Sequence, residues 1–500
     1  MSFVPRYRRS LFIVALLALI TLGAVANAAE GTLRVAYPQR VVNLDPHGSA
    51  AAERIVIALS RHVFDTLVAW DATVGEFTPK LATSWEVLDD LTWQFTLRQG
   101  VTFHDGGAFT SEDVAASLER IATLAGPLSA LWRLIEDVET PDSQTVVIRT
   151  SEPMGTLLSN LTMLAIAPAW ALEAEDFDER PVGSGPFKFE EWVRDERVVL
   201  VANEDYWREG LPRVERLVWV DIPELSPRMT ALVRGEIDLT VQVPPEQRPA
   251  LEADERIVLV DGPTFRSRFI WINPEREPLD DVRVRQALWH ALDIDAIVET
   301  LLAGVATRAT GAVTSTTFGY SLMPPYEYDP DRSRELLAEA GYPDGFRTHL
   351  KWNPADVKER EVAEVVTAQL AAVGVLVESI QQPRAIWLED LLALDWDMNL
   401  LGTGALTGDA DYLLGRLYHS RAQRTGFESP ELDRLLEAAA TTLDTQERLE
   451  YYRQVQELLW EEAVTLFLFE AVETYAYRDN VHGFQVPQDQ LPVLTEVWIE

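Results

Sequence analysis

The amino-acid sequence predicts an α/β fold arranged in at least two lobes. Three observations point there. Strand-like runs alternate with capped amphipathic helices along most of the chain, 500 residues at roughly 100–200 per domain make two to four units, and 47% apolar content suffices for sizeable cores. No internal repeat, low-complexity tract or Gly/Ser linker separates the units, so tight crossovers must join them.

Taken in order, Thr32–Tyr37 (TLRVAY) and residues 91–98 (LTWQFTLR) alternate apolar and polar side chains, as half-buried strands do. Thr110 then reads as the N-cap of a helix with Val114, Leu118 and Ile121 on one face and Gly126-Pro127 as its stop. Strand-like runs return at 144–149, 187–192, 197–201 and 214–220. Beyond about residue 275 helices dominate, opening at Asp280, Asp293, Asp329-Pro330 and Ser429-Pro430, the last two with proline at the first helical position. Strands at 349–352, 375–379 and 398–401 separate them. The apolar segment Phe269-Ile270-Trp271-Ile272-Asn273, flanked by Pro263 and Pro274, is the expected crossover.

Composition narrows the function. With 43 Lys plus Arg against 80 Asp plus Glu the net charge is −37, which argues against nucleic acid as a partner because such binding needs cations on phosphates. The absence of cysteine removes disulfides, a thiolate nucleophile, Cys-ligated zinc and iron–sulfur clusters.

The first 28 residues read as an export signal. Arg6, Arg8 and Arg9 precede an apolar run at 11–22, and Ala26-Asn27-Ala28 is a small-x-small cleavage pattern. Twelve apolar residues fall short of the roughly 20 that span a bilayer. The run suits the general export route better than a twin-arginine route, and without a cysteine no lipid can be attached. The expected location is the periplasm, as a freely diffusing protein of net charge −40.

Catalytic constellations are mostly missing. Gly183-Ser184-Gly185-Pro186 lacks the Lys-Ser/Thr pair of a phosphate loop and reads as a tight turn into a strand. The seven histidines are scattered without a zinc-ligand spacing, no Gly-x-Ser-x-Gly elbow occurs, and His104-Asp105-Gly106 reads as a turn. The 15 Trp and 13 Tyr are a more informative excess, because flat aromatic faces line clefts for small ligands. Trp85, Trp93 and Trp219 belong to strand patterns and a core; Trp352 and Trp387 are open to either role.

Several segments together resemble the family 5 extracellular solute-binding proteins, the peptide, nickel and glutathione receptors of ABC importers. They are Leu81-Ala82-Thr83-Ser84-Trp85-Glu86, the run from Leu91 to Gly106, Phe109-Thr110-Ser111-Glu112-Asp113-Val114, Gly183-Ser184-Gly185-Pro186-Phe187 and Asn203-Glu204-Asp205-Tyr206-Trp207. Further on come the runs from Ala231 to Asp238, from Val282 to Leu288 and from Ala340 to Phe346. The resemblance implies a two-lobed periplasmic binding protein fold with a hinge and an inserted subdomain in the first lobe. By analogy, lobe 1 takes residues 30–265 and 475–500, with 71–180 inserted, and lobe 2 takes 268–474. It also implies a receptor, not an enzyme, that captures a small peptide or peptide-like solute, needs no cofactor, acts as a monomer and delivers to ABC permease subunits. An oligosaccharide or a metal chelate is the alternative ligand, and an exported hydrolase the alternative class.

The ligand site departs from the family's usual peptide anchor. Gly402 is kept, but Thr403 stands where Trp is usual and Leu406 where an ammonium-binding aspartate is usual. Thr407-Gly408-Asp409-Ala410-Asp411-Tyr412 resembles the glutathione-type branch, so Asp409 or Asp411 is expected to take the ligand ammonium with Thr407 and Gly408 beside it. The bland alternative is that both aspartates cap the helix that follows. Arg266, beside Phe265 at the crossover, suits a ligand carboxylate; Arg268 suits that or an interlobe ion pair. His47 lies in a Leu-Asp-Pro loop that borders the family's cleft, and Trp387 matches a family aromatic. Trp352 completes the candidate set.

Overall fold

The computed structural model describes residues 31–71, 76–124, 126–354, 358–487 and 491–500. The export signal lies outside them. Among the described residues no helix is long and apolar enough to cross a membrane.

One mixed sheet runs through the molecule. Its strands lie in the order Val375–Gln381, Phe346–Trp352, Met398–Gly404, Ile257–Ile272, Thr465–Arg478, Leu239–Val241, Thr32–Tyr37, Arg216–Asp221, Arg197–Ala202 and Phe187–Val193, with Ala306–Arg308 beside Thr465–Arg478. Its two ends are buried in different cores. One core gathers Leu33, Val35, Phe95, Leu157 and Leu217; the other gathers Phe269, Trp271, Trp352, Leu400 and Phe467. A separate four-stranded sheet, ordered Ala82–Asp89, Thr92–Leu97, Thr145–Thr150 and Ile135–Asp142, contributes to the first core under the helix Ser111–Thr123. That helix starts where the sequence indicates, with the Thr110 amide donating to the Asp113 carboxylate at 2.9 Å as half of a capping box.

The lobes are joined by two long strands. Ile257–Ile272 and Thr465–Arg478 pair antiparallel from Ile257 opposite Arg478 to Trp271 opposite Thr465, so both pass from one core to the other. Their register breaks between Pro263, opposite Val472, and Ser267, opposite Glu470, which sets residues 264–266 against Ala471 alone. Such a bulge bends and twists a strand pair and is a natural place for a hinge. The crossover therefore lies upstream of the expected Phe269 to Asn273, all of which are at most 1% exposed, within the second lobe. An apolar run between prolines looks the same whether it joins two cores or threads the middle of one.

Helix starts after residue 275 follow their caps. Asp281, one residue beyond Asp280, caps Val282–His290; Asp329 caps Pro330–Glu339; Ser429 caps Pro430–Thr441. Asp293 caps only the short Ile294–Ala296, which widens into a π-helical turn at Ile297–Leu301. Gly183 and Gly185 are glycines for a packing reason. A side-chain carbon at either position would come within 2.1 Å or 2.6 Å of the Val63 peptide, whose oxygen accepts the Gly185 amide at 2.9 Å. Between them the Ser184 hydroxyl donates to fully buried Asp65, which also accepts from Tyr206, Trp207 and Lys80.

Candidate functional site

A cavity of about 110 Å³ opens at the seam between the lobes. Gln242 to Pro245 line it from the first lobe, Leu302, Val305, Glu359, Val362 and Leu400 from the second, and Arg266, Arg268, Ala471 and Glu473 from the two hinge strands. Arg266 and Arg268 are two residues apart on one strand and share a face, as does Glu473 with Phe469 and Ala471 on the other. A larger concavity of about 580 Å³ sits beside His104 and the strand Phe187–Val193. All of its walls belong to the first lobe, so relative motion of the lobes cannot act on it. The seam cavity, by contrast, is walled by both lobes and by the two strands that join them.

Burial dominates its electrostatics. It pushes the Arg268 guanidinium down to about 9, with like-charged Arg266 adding to the effect, and lowers Arg266, aided by Arg54. It pushes the Glu473 carboxyl up to about 7 against the opposing pull of Arg54, the Gln242 amide at 2.9 Å, Arg266 and Arg228. Glu470, three residues earlier, is also raised by burial and accepts from the Ser315 amide and hydroxyl. Burial in this low-dielectric seam thus works against the charge of the arginines and of the acids alike.

Of the residues expected at the site, Arg266 and Arg268 line the cavity; the others are engaged elsewhere. The Asp409 carboxylate is 1% exposed, pairs with the Arg448 guanidinium at 2.9 Å, accepts the Tyr452 hydroxyl at 3.1 Å and caps the helix Ala410–Tyr418 through the Asp411 amide. Burial opposes the Arg448 charge, but Asp409 and Tyr452 more than offset it and the guanidinium pKa is raised. A carboxylate so engaged is a structural anion, not a free anchor for a ligand ammonium. Asp411 sits in the first turn of that helix, its carboxyl pushed up to about 6 by burial and then by the Asp409 charge. Thr407 and Gly408 are spent on their own turn: the Thr407 hydroxyl accepts the Asp409 amide, Gly408 donates to the Ala405 carbonyl, and its oxygen accepts from Phe318. Phe265 packs on Gly408, where a side-chain carbon would lie 3.3 Å from its ring.

The two tryptophans are core residues. Trp387 donates from its indole nitrogen to Asn399 at 2.8 Å and Trp352 to Ser379 at 2.9 Å, and both pack in the second core. His47 is 1% exposed, holds the Ala165 carbonyl at 2.8 Å and is pushed down to about 4 by burial. Its neighbour Asp45 takes both arms of Arg120 at 2.8 Å, so the Leu-Asp-Pro loop is a clamp within the first lobe. His104 likewise serves its turn, contacting the Gly185 carbonyl at 3.0 Å.

Sequence reading missed Gln242, Glu359, Leu400 and Glu473. A signal existed for one of them: Phe469-Glu470-Ala471-Val472-Glu473 sets two acids inside a run that is otherwise apolar, and buried charges need partners. Gln242, Glu359 and Leu400 reach the cavity only through sheet order and lobe packing.

Two lobes, two connecting strands and a cavity walled by all three parts define a hinged binding protein. The chain belongs to the bacterial extracellular solute-binding proteins of family 5, whose model (family 5 Middle) matches residues 76–425. It is 31% identical over 487 residues to the glutathione-binding protein GsiB of Salmonella typhimurium, covering 94% of both chains. Among solved structures it is similar to HbpA2 of Haemophilus parasuis, with a TM-score of 0.84 and 27% identity over 94% of this chain and 100% of that one. It is also similar to the periplasmic binding protein DppA of Helicobacter pylori in complex with the peptide STSA, with a TM-score of 0.77 and 26% identity over 94% and 98%.

Proposed function

We propose that this protein is the periplasmic substrate-binding component of an ABC importer, holding a small peptide or peptide-like solute at the lobe seam for delivery to the membrane permease. The observation that carries this reading is the seam cavity, because a solute touching both lobes and the hinge strands stabilises the closed form by its differential affinity. The relatives named for glutathione and for a bound peptide support the peptide-type class. The moving bodies are residues 30–265 with 475–500, carrying the 71–180 insertion, and residues 268–474. The chain acts as an exported monomer after removal of residues 1–28 and breaks no bond in its solute. A sugar-stacking site has less support, since Trp352 and Trp387 are buried in the second core.

A thermal-shift screen over peptides, glutathione, opines, sugars and metal chelates tests the assignment. A solute at about 100 times its dissociation constant stabilises the folded form by about 2.7 kcal/mol. The expected outcome is a shift with a member of the peptide-like set and recovery of that solute unchanged. No shift across that set, or its conversion to product, overturns the reading.

A further inference from the structure

We infer that the seam cavity receives one branched aliphatic side chain of the solute, of the size of leucine or valine, and that Val305 and Val362 set its size limit. This deepens the peptide-receptor reading and rests on it. The first support is the lining. Val243, Pro244 and Pro245 meet the cavity from the first lobe, and Leu302, Val305 and Val362 from the second. An apolar side chain seated there leaves water on both sides at once, which is the favourable term in its burial. The charged groups of the wall do not call for a charged solute. Arg266, Arg268 and Glu359 already have interactions of their own, and the Glu473 carboxylate accepts the Gln242 amide at 2.9 Å.

The second support is size. At about 110 Å³ the cavity is smaller than an apolar cavity of roughly 150 Å³ that takes up benzene, and far below the roughly 300–1,000 Å³ of a site that encloses a whole small ligand. It has room for one aliphatic side chain, with the rest of a peptide outside it. The third support is that its walls are fixed. Gln242 holds a left-handed backbone with φ of 59°, a strained state that persists only where the surroundings enforce it and that gathers at ligand clamps. The Val243 amide donates to the Thr474 carbonyl at 3.3 Å, and Pro244 and Pro245 fix the next two φ angles. On the second lobe, the π-helical turn Ile297–Leu301 leads directly into Leu302 and Val305, and such turns are frequent at functional sites. The Val305 carbonyl accepts the Val472 amide of the hinge strand at 2.9 Å, which ties this wall to the sheet. Walls held this way discriminate by size, and in an apolar pocket one methylene is worth about 10–200-fold.

The test uses the mature protein with trialanine, with tripeptides in which one alanine at a time is replaced by Val, Leu, Phe, Asp or Lys, and with glutathione, all measured by titration calorimetry. The expected result is one position at which Val or Leu binds at least tenfold more tightly than Ala, while Phe, Asp and Lys bind no more tightly than Ala. Val305→Phe, which fills the cavity, should cut that advantage below about threefold and leave trialanine affinity within about threefold of the unmodified protein. Val305→Ala and Val362→Ala, which widen it from two different walls, should bring the Phe peptide to within about threefold of the Leu peptide. No preference for Val or Leu at any position, an equal gain from Asp or Lys, an advantage that survives Val305→Phe, or binding of glutathione alone overturns the inference and leaves the peptide-type receptor standing. Failure of glutathione and of every tripeptide to bind removes the peptide reading itself, and this inference with it.

Discussion

The amide of Gly155 donates to the carbonyl oxygen of Ala440 at 2.8 Å, tying a first-lobe loop to the end of the helix Pro430–Thr441 in the second lobe. A side-chain carbon at Gly155 would lie 2.0 Å from the Thr442 oxygen and 3.0 Å from Cδ of Arg448, so the two lobes meet here backbone to backbone. Leu443 packs on the first core beside this contact, and Lys358 reaches Glu246 across the seam at 2.6 Å.

Gly155→Val is therefore expected to hold the lobes apart without unfolding either. Solute affinity should fall at least tenfold, and the radius of gyration of the solute-saturated protein, measured by small-angle scattering, should stay at its solute-free value. The unliganded unfolding midpoint should change little, since neither core contains this residue. Unchanged affinity would show that closure does not pass through this contact.

Asp409→Asn is expected to act on stability. It leaves Arg448, whose side chain is 4% exposed, without its carboxylate, and stranding one partner of a buried pair costs about 3–5 kcal/mol. Denaturant unfolding should show that loss with an unchanged m-value. Normal stability with lost binding would restore Asp409 as a ligand anchor.

A pH effect follows from His62. Its Nε2 accepts the Leu494 amide at 3.0 Å, so the proton of the neutral ring sits on Nδ1 and donates to the Ala58 carbonyl at 2.7 Å. Burial pushes its pKa from 6.5 to about 4. The unfolded chain then takes up the proton first as pH falls, so stability is full above about 6.5 and drains away down to about 4, by an amount on the order of 3 kcal/mol. Melting temperatures across that window should decline less steeply in His62→Leu than in the unmodified protein. Amide exchange at Leu494 should rise over the same range, because a protonated Nε2 no longer accepts its hydrogen bond.

Local features were legible in the sequence because they depend on neighbours in the chain. Two-residue alternation placed Thr32–Tyr37 to the residue, and caps at Thr110, Asp329 and Ser429 placed their helices. The site was less legible. Asp409 and Arg266 are both charged residues in irregular or bulged segments, and nothing adjacent to either tells which one meets the cavity.

By itself the sequence determined the family, the two-lobed α/β class and an acidic chain without thiol chemistry. Tertiary structure alone decided which charges meet which partners. Arg448 meets Asp409 because the helix Thr445–Glu462 packs against the turn before Ala410–Tyr418, and this pairing uses up the carboxylate. Arg266 and Arg268 face Gly404 and Gly402 because strand register sets them there, and a one-residue slip would send every side chain to the opposite face. Such pairings arise between segments far apart in the chain, where burial and register, rather than sequence spacing, set the contacts.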